Sequence, residues 1–120
     1  MFSVGCDVEK INRFVDKVSN TVFLEKIFSL IELDYCLSKS YPAQHLAVRF
    51  CAKEAVIKAL SGIGINNILI HEIEIENDRK TNYPIVRILK KGYENLDIKI
   101  SLSHDKDTAM AVAIISKNNI

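Results

Sequence analysis

Cysteine is scarce, and its number is odd: Cys6, Cys36 and Cys51 sit at scattered spacings. That pattern fits neither a disulfide framework nor a Cys-x-x-Cys zinc ribbon, and adding His45, His71 and His104 yields no pair with finger or zincin spacing. Charge of one sign is also lacking. The formal net charge of +1 gives no global field to draw the chain to nucleic acid or to an anionic membrane surface. No apolar run approaches the roughly 18 residues of a membrane-spanning helix, and Met1-Phe2-Ser3-Val4-Gly5 is no basic leader followed by an apolar stretch. A soluble, cytoplasmic protein is expected, without membrane or nucleic-acid partners. Glycine-rich phosphate loops are missing too: Gly62-Ile63-Gly64 lacks the continuation of either nucleotide fingerprint and follows a helical pattern, so the usual nucleotide folds are excluded.

What remains is an ordinary globular composition, 48% hydrophobic and 26% charged, with no repeat, linker or low-complexity tract. It predicts one domain spanning residues 1–120. A core of that size needs no disulfide or structural metal, but it gives thin cover to a nucleotide-sized ligand, so a second copy could supply part of the wall.

The chain reads as α+β: an N-terminal strand, helices, then a mostly antiparallel sheet. Phe2 to Val8 is apolar apart from Gly5 and Asp7, as a buried strand would be. Apolar residues keep helical spacing from Ile11 to about Tyr35 across a Ser19-Asn20-Thr21 break, predicting two amphipathic helices. Ala43 to Leu60 predicts the longest helix, stopped near Gly62 and Gly64. Four strands follow, at Asn67–Ile75, Ile85–Leu89, Ile98–His104 and Ala109–Ile115, with loops at Asn77–Asn82 and Asp105–Asp107 and a short helical turn within Lys90–Asn95.

Two carboxylates stand out, Asp7 inside an apolar strand and Glu54 on the most buried helix. Burying a lone carboxylate costs several kcal/mol, a cost relieved by an ion pair, a raised pKa or a bound cation. For Glu54 an ordinary helical ion pair with Lys58, one turn on, is an adequate explanation. Two acids from separate elements also suit Mg²⁺, which keeps several waters and takes one or two protein oxygens plus substrate phosphate. Arg49, Lys53, Glu54 and Lys58 fall on one half of the helical wheel, so Lys58 would meet the same phosphates and Arg49 and Lys53 would line the flank. Ile100 to His104 alternates along a strand and delivers His104 to a loop mouth. A solvated strand-end histidine explains that position equally well.

Three segments in this order resemble the holo-acyl-carrier-protein synthase family of phosphopantetheinyl transferases: Val4-Gly5-Cys6-Asp7-Val8 running to Ile11-Asn12-Arg13-Phe14, Arg49-Phe50-Cys51-Ala52-Lys53-Glu54-Ala55 with Lys58-Ala59-Leu60, and Ser101-Leu102-Ser103-His104. The resemblance covers nearly the whole chain and implies the phosphopantetheinyl transferase fold. It implies transfer of 4′-phosphopantetheine from coenzyme A to a serine of apo acyl carrier protein, with Asp7 and Glu54 on Mg²⁺, and Lys58 and His104 on coenzyme A phosphates. It further implies that Pro84 meets the sugar or base, that Arg13, with Lys10 and Lys17, docks the acidic carrier, and that a homotrimer forms active sites between its subunits. A degenerate module that only binds the carrier is the alternative, against which the intact Asp7, Glu54 and Lys58 speak. The chain departs from the family pattern at Lys10, usually acidic, and at Asn82, commonly glycine.

Overall fold

A computed structural model describes residues 1–117. The order is β1 (Phe2–Lys10), a 3-10 turn at Ile11–Phe14, α1 (Thr21–Glu25), α2 (Leu30–Leu37), α3 (Pro42–Gly62), a second 3-10 turn at Ile70–Glu72, β2 (Ile73–Asn77), β3 (Pro84–Ile88), β4 (Leu96–His104) and β5 (Thr108–Lys117). The α+β reading holds, with differences. The antiparallel strands form two sheets, β1-β5-β4 and β2-β3, instead of one. The first amphipathic stretch after β1 closes as a 3-10 turn. The second is divided at Ser29, where a capping box starts α2: the Glu32 backbone N–H donates to Ser29 Oγ and the Ser29 N–H donates to Glu32 Oε1. The stretch from Asn67 becomes strand only at Ile73, after the second 3-10 turn, and Lys90–Asn95 holds turns without a helix.

Long α3 fills the middle. Its residues Ala47, Cys51, Ala52, Ala55, Val56 and Ala59 are fully buried, and β5 answers with Ala109, Ala111, Ala113 and Ile115. Small side chains on both faces bring helix and sheet close, and Gly5 of β1 sits at the tightest point. A Cβ there would lie 2.1 Å from the Ala55 carbonyl oxygen and 2.7 Å from the Ala59 nitrogen, so only glycine fits. Because side chains alternate across a strand, this packing fixes Ser3, Gly5, Asp7 and Glu9 on the helix side of β1. Phe2, Val4 and Val8 then point to the other face, where with Met110 and Ile114 of β5 they leave exposed apolar surface.

The β2-β3 hairpin turns through residues 78–83. Asn82 has a φ of 60°, the sole positive φ of a non-glycine residue among those described. Asparagine tolerates that left-handed conformation better than other non-glycine side chains, which suits it to a position where the resemblance leads one to expect glycine.

Candidate functional site

Asp7 and α3 form the first cluster. Lys58 Nζ lies 3.2 Å from Asp7 Oδ1 and donates to the Cys6 carbonyl oxygen at 2.9 Å. The ordinary ion pair expected between Glu54 and Lys58 is not what forms: Lys58 reaches across to β1, and Glu54 has no hydrogen-bond or ion-pair partner among the described residues. Burial and the charge of Asp7 push the Glu54 carboxyl up, only partly countered by Lys58. The Lys58 ammonium is itself favoured by its hydrogen bond to Asp7, which raises its pKa. On the other side of the same carboxylate, Asp7 Oδ2 is buried with no hydrogen-bond partner among the described residues.

An orphaned buried carboxylate oxygen beside an unpaired carboxylate is the donor chemistry a hard divalent cation takes. Among the described residues no three His, Cys, Asp or Glu side chains group closely enough to cage an ion. A cation held by Asp7 and Glu54 alone would leave room for water and a ligand's oxygens, which suits Mg²⁺.

Glu9, two residues along the same face of β1, was not singled out by the sequence reading. Its carboxylate hydrogen-bonds the Arg13 guanidinium, and burial together with Asp7 raises its pKa against the pull of Arg13. The strand's alternation from Asp7 was the signal that could have found it.

The other basic residues do not join this cluster. Lys53 is wholly buried: its ammonium pairs with Glu32 Oε1 at 2.8 Å and donates to the Ile73 carbonyl, while Glu32 Oε2 accepts from the Ile75 N–H at 2.8 Å. Burial pushes this ammonium's pKa down, with Glu32 opposing. Lys53 thus ties α2, α3 and β2 together and cannot line a phosphate site, a correction to its expected role. The wheel places it within the charged half, between Arg49 and Glu54, and it is the packing of α2 through Glu32 that closes over it.

Arg49 points elsewhere again. Its guanidinium stacks 4.0 Å from the Tyr35 ring centroid, donates to Asn77 Oδ1, and leaves a buried Nε unpaired among the described residues. It lines a cavity of about 300 Å³ with Ile31, Tyr35, Asn77, Arg79 and Asn82. Arg49 and Glu54 are about 140° apart around α3, so this cavity and the carboxylate cluster occupy different sides of the helix. Pro84 opens β3 opposite Asn77, at the same end of the hairpin. His104 ends β4, its Nε2 at 3.1 Å from Gln44 Nε2 near the start of α3. His45 beside it has its pKa lowered by burial and by Arg49, Lys39 and His104.

Arg13, Lys10 and Lys17 occupy the surface after β1. Arg13 is held by Glu9 and lies 5.9 Å from the Phe50 ring centroid, Lys17 lies 5.5 Å from that of Phe23, and Lys10 is exposed.

Residues 3–113 match the model of the family described as the 4'-phosphopantetheinyl transferase superfamily. The chain is 44% identical to the holo-[acyl-carrier-protein] synthase of Chlamydia trachomatis over 95% of this chain and 98% of that one. It is 39% identical to the enzyme of that name from Clostridium acetobutylicum, over 93% and 94% of the two chains. Among solved structures, the Mycobacterium tuberculosis acyl carrier protein synthase is 35% identical with a TM-score of 0.76, covering 97% of each chain. The Helicobacter pylori holo-[acyl-carrier-protein] synthase in complex with coenzyme A is 32% identical with a TM-score of 0.78, covering 94% of this chain and 99% of that one. By sequence and by fold, the chain belongs to the holo-acyl-carrier-protein synthase family of the 4′-phosphopantetheinyl transferase superfamily.

Proposed function

We propose that the chain transfers 4′-phosphopantetheine from coenzyme A to a serine of apo acyl carrier protein, releasing adenosine 3′,5′-bisphosphate, with Mg²⁺ held by Asp7 and Glu54. The observation that carries the reading is the unpaired Asp7 Oδ2 beside an unpaired Glu54, next to an ammonium already fixed by Asp7 Oδ1. Mg²⁺, when bound, supplies Lewis-acid neutralisation of the diphosphate. In the transfer the serine oxygen attacks the β-phosphorus, its proton passing to solvent; a new P–O bond forms, and the bond to the adenosine-bearing phosphate breaks, its electron pair leaving with adenosine 3′,5′-bisphosphate. Lys58 presents its ammonium to the phosphoryl oxygens as charge grows there; its raised pKa suits a charged donor and not the base. Asp7 holds Lys58 in place from Oδ1, and its Oδ2, without a hydrogen-bond partner among the described residues, is the oxygen that could serve the cation.

Arg49, with the cavity it lines, and Pro84 would take the adenosine end, and His104 a phosphate. Within one chain these groups are badly placed to share a ligand with Lys58. Gln44, which holds His104, precedes Lys58 by about 21 Å of helix axis, and Arg49 faces another side of α3. The diphosphate and 3′-phosphate of coenzyme A are separated by little more than a ribose. This mismatch supports active sites shared between subunits, and the exposed Phe2, Val4, Val8, Met110 and Ile114 supply an apolar face for assembly. The assembly we propose is the homotrimer that the family resemblance implies. We place this action in the cytoplasm, a compartment that suits three free thiols; among the described residues no helix is long and apolar enough to cross a membrane.

Incubation of the chain with apo carrier protein, coenzyme A and Mg²⁺, followed by intact-mass measurement of the carrier, tests the reading. The carrier should gain one phosphopantetheine, and the gain should stop with a chelator. A carrier of unchanged mass at high enzyme concentration refutes it.

A further inference from the structure

Glu9 is the carboxylate on the helix-facing row of β1 that the transfer mechanism leaves unused. Its side chain is only 12% exposed, whereas that of Arg13, its partner four residues on, is 61% exposed. Arg13 is the ion-pair partner of this half-buried carboxylate and donates to its Oε1. The guanidinium is held by the Glu9 carboxylate and lies 5.9 Å from the Phe50 ring centroid, and Phe50 packs on buried Phe14 at a centroid distance of 5.4 Å. A guanidinium has five N–H donors in a planar fork, so one edge can stay with Glu9 while another meets a second carboxylate. Lys10 and Lys17 have no carboxylate partner among the described residues.

We infer that Glu9 is a positioning residue for carrier docking: it holds Arg13 by one edge and presents the remaining fork to an acidic group on the carrier protein. The inference rests on the proposed transfer to an acyl carrier protein and on Arg13 as a docking cation. A fixed fork loses less rotamer freedom on binding than a free arginine stem, so Glu9 acts on carrier affinity through Arg13 and not on the chemical step. An incoming carboxylate does not have to displace Glu9, because the two use different edges.

The test is titration calorimetry of a carrier whose acceptor serine is replaced by alanine, alongside steady-state kinetics with the normal carrier. Glu9→Ala should weaken carrier binding and raise the carrier KM by about three- to fivefold, the scale of a single well-held ion pair. The kcat, the KM for coenzyme A and the Mg²⁺ requirement should stay at wild-type values. Glu9→Gln, whose amide oxygen still accepts from Arg13, should recover much of the loss. In an Arg13→Ala background, Glu9→Ala should add nothing. Wild-type carrier affinity in Glu9→Ala, an undiminished effect in the Arg13→Ala background, or an altered Mg²⁺ requirement in place of an altered carrier KM overturns the inference. Arg13→Ala with unchanged carrier affinity overturns it as well, by removing the docking cation. Failure of the wild-type protein to bind or modify carrier strikes the transfer reading itself, a different and separately visible result.

Discussion

Replacing Gly5 with alanine should disturb the site while leaving every functional side chain chemically unchanged. The added Cβ would lie 2.1 Å from the Ala55 oxygen, 2.7 Å from the Ala59 nitrogen and 3.0 Å from Lys58 Cβ. The first two are backbone atoms of a long helix, so no rotamer change relieves the overlap, and α3 and β1 must part by about 1 Å to regain ordinary contact. Overpacking of a tight core costs about 2 kcal/mol, which lowers Tm by roughly 10 °C in a domain of this size. The same movement separates Asp7 on β1 from Glu54 and Lys58 on α3, and about 1 Å of misplacement is worth on the order of 100-fold in rate. Gly5→Ala should therefore lose both stability and kcat when assayed well below its new Tm. Gly92→Ala is the control: at a φ of 102° with nothing within 4 Å of its Cβ position, it strains the backbone of a distant turn without moving α3. It should lower Tm and leave transfer intact. A folded Gly5→Ala protein with wild-type kcat would refute the claim that this contact sets the site.

Asp7→Asn and Glu54→Gln should each cut turnover by about two orders of magnitude or more and raise the Mg²⁺ needed, while the double variant is little worse than either, because both serve one ion; Mg²⁺ titrations of initial rate check this. The Glu54 carboxyl has a pKa raised above its ordinary value of 4.5, so the metal-free fold binds a proton there more tightly than the unfolded chain. Its contribution to stability accordingly falls as pH rises from the ordinary value through the raised one, and ionised Glu54 is the form a cation stabilises. The gain in Tm on adding Mg²⁺ should thus grow with pH across that window, and a gain that shrinks would sink the assignment. Lys53→Met leaves the buried Glu32 carboxylate without its counter-ion, a change that costs about 3–5 kcal/mol. It should lower Tm steeply without altering the Mg²⁺ requirement of the protein that remains folded, the opposite signature to Glu54→Gln.

The legibility of the sequence followed the reach of its signals. Asp7 was visible because a carboxylate in an apolar strand has no local excuse, and α3 because its pattern runs from Ala43 to Leu60, nearly the whole of the observed Pro42–Gly62. The split of the second amphipathic stretch was harder to see, since hydrophobic spacing continues through Ser29 and only the cap to Glu32 breaks it. Lys53 was misplaced for a related reason: a wheel states which way a side chain leaves the helix, not which element closes over it, and Glu32 lies twenty-one positions earlier in the chain. The partner of Lys58 depended on the same non-local packing. The i,i+4 rule favours Glu54, yet Gly5 brings β1 so close that Asp7 wins the ammonium. Two separate sheets, too, follow from pairings that strand propensity does not specify.

The placement of Arg49 and Lys58 on different sides of α3 leads to a prediction that separates a shared site from a self-contained one. Lys58→Ala removes the phosphoryl-facing ammonium, and Arg49→Ala together with His104→Ala removes the proposed adenosine and phosphate contacts, so each protein alone should be nearly inactive. If one site is built from Lys58 of one subunit and Arg49 and His104 of its neighbour, some sites in mixed oligomers join two intact halves. In a closed ring, random assembly of an equal mixture puts a subunit with intact Lys58 next to one with intact Arg49 and His104, in the required order, at about a quarter of the interfaces. Mixing the two proteins under conditions that dissociate them, then reassembling, should restore roughly a quarter of wild-type kcat per site. Chains that carry self-contained sites give no recovery, because each then retains one defective half whatever its neighbours. A mixture that stays inactive after subunit exchange has been verified by mass would refute the shared site.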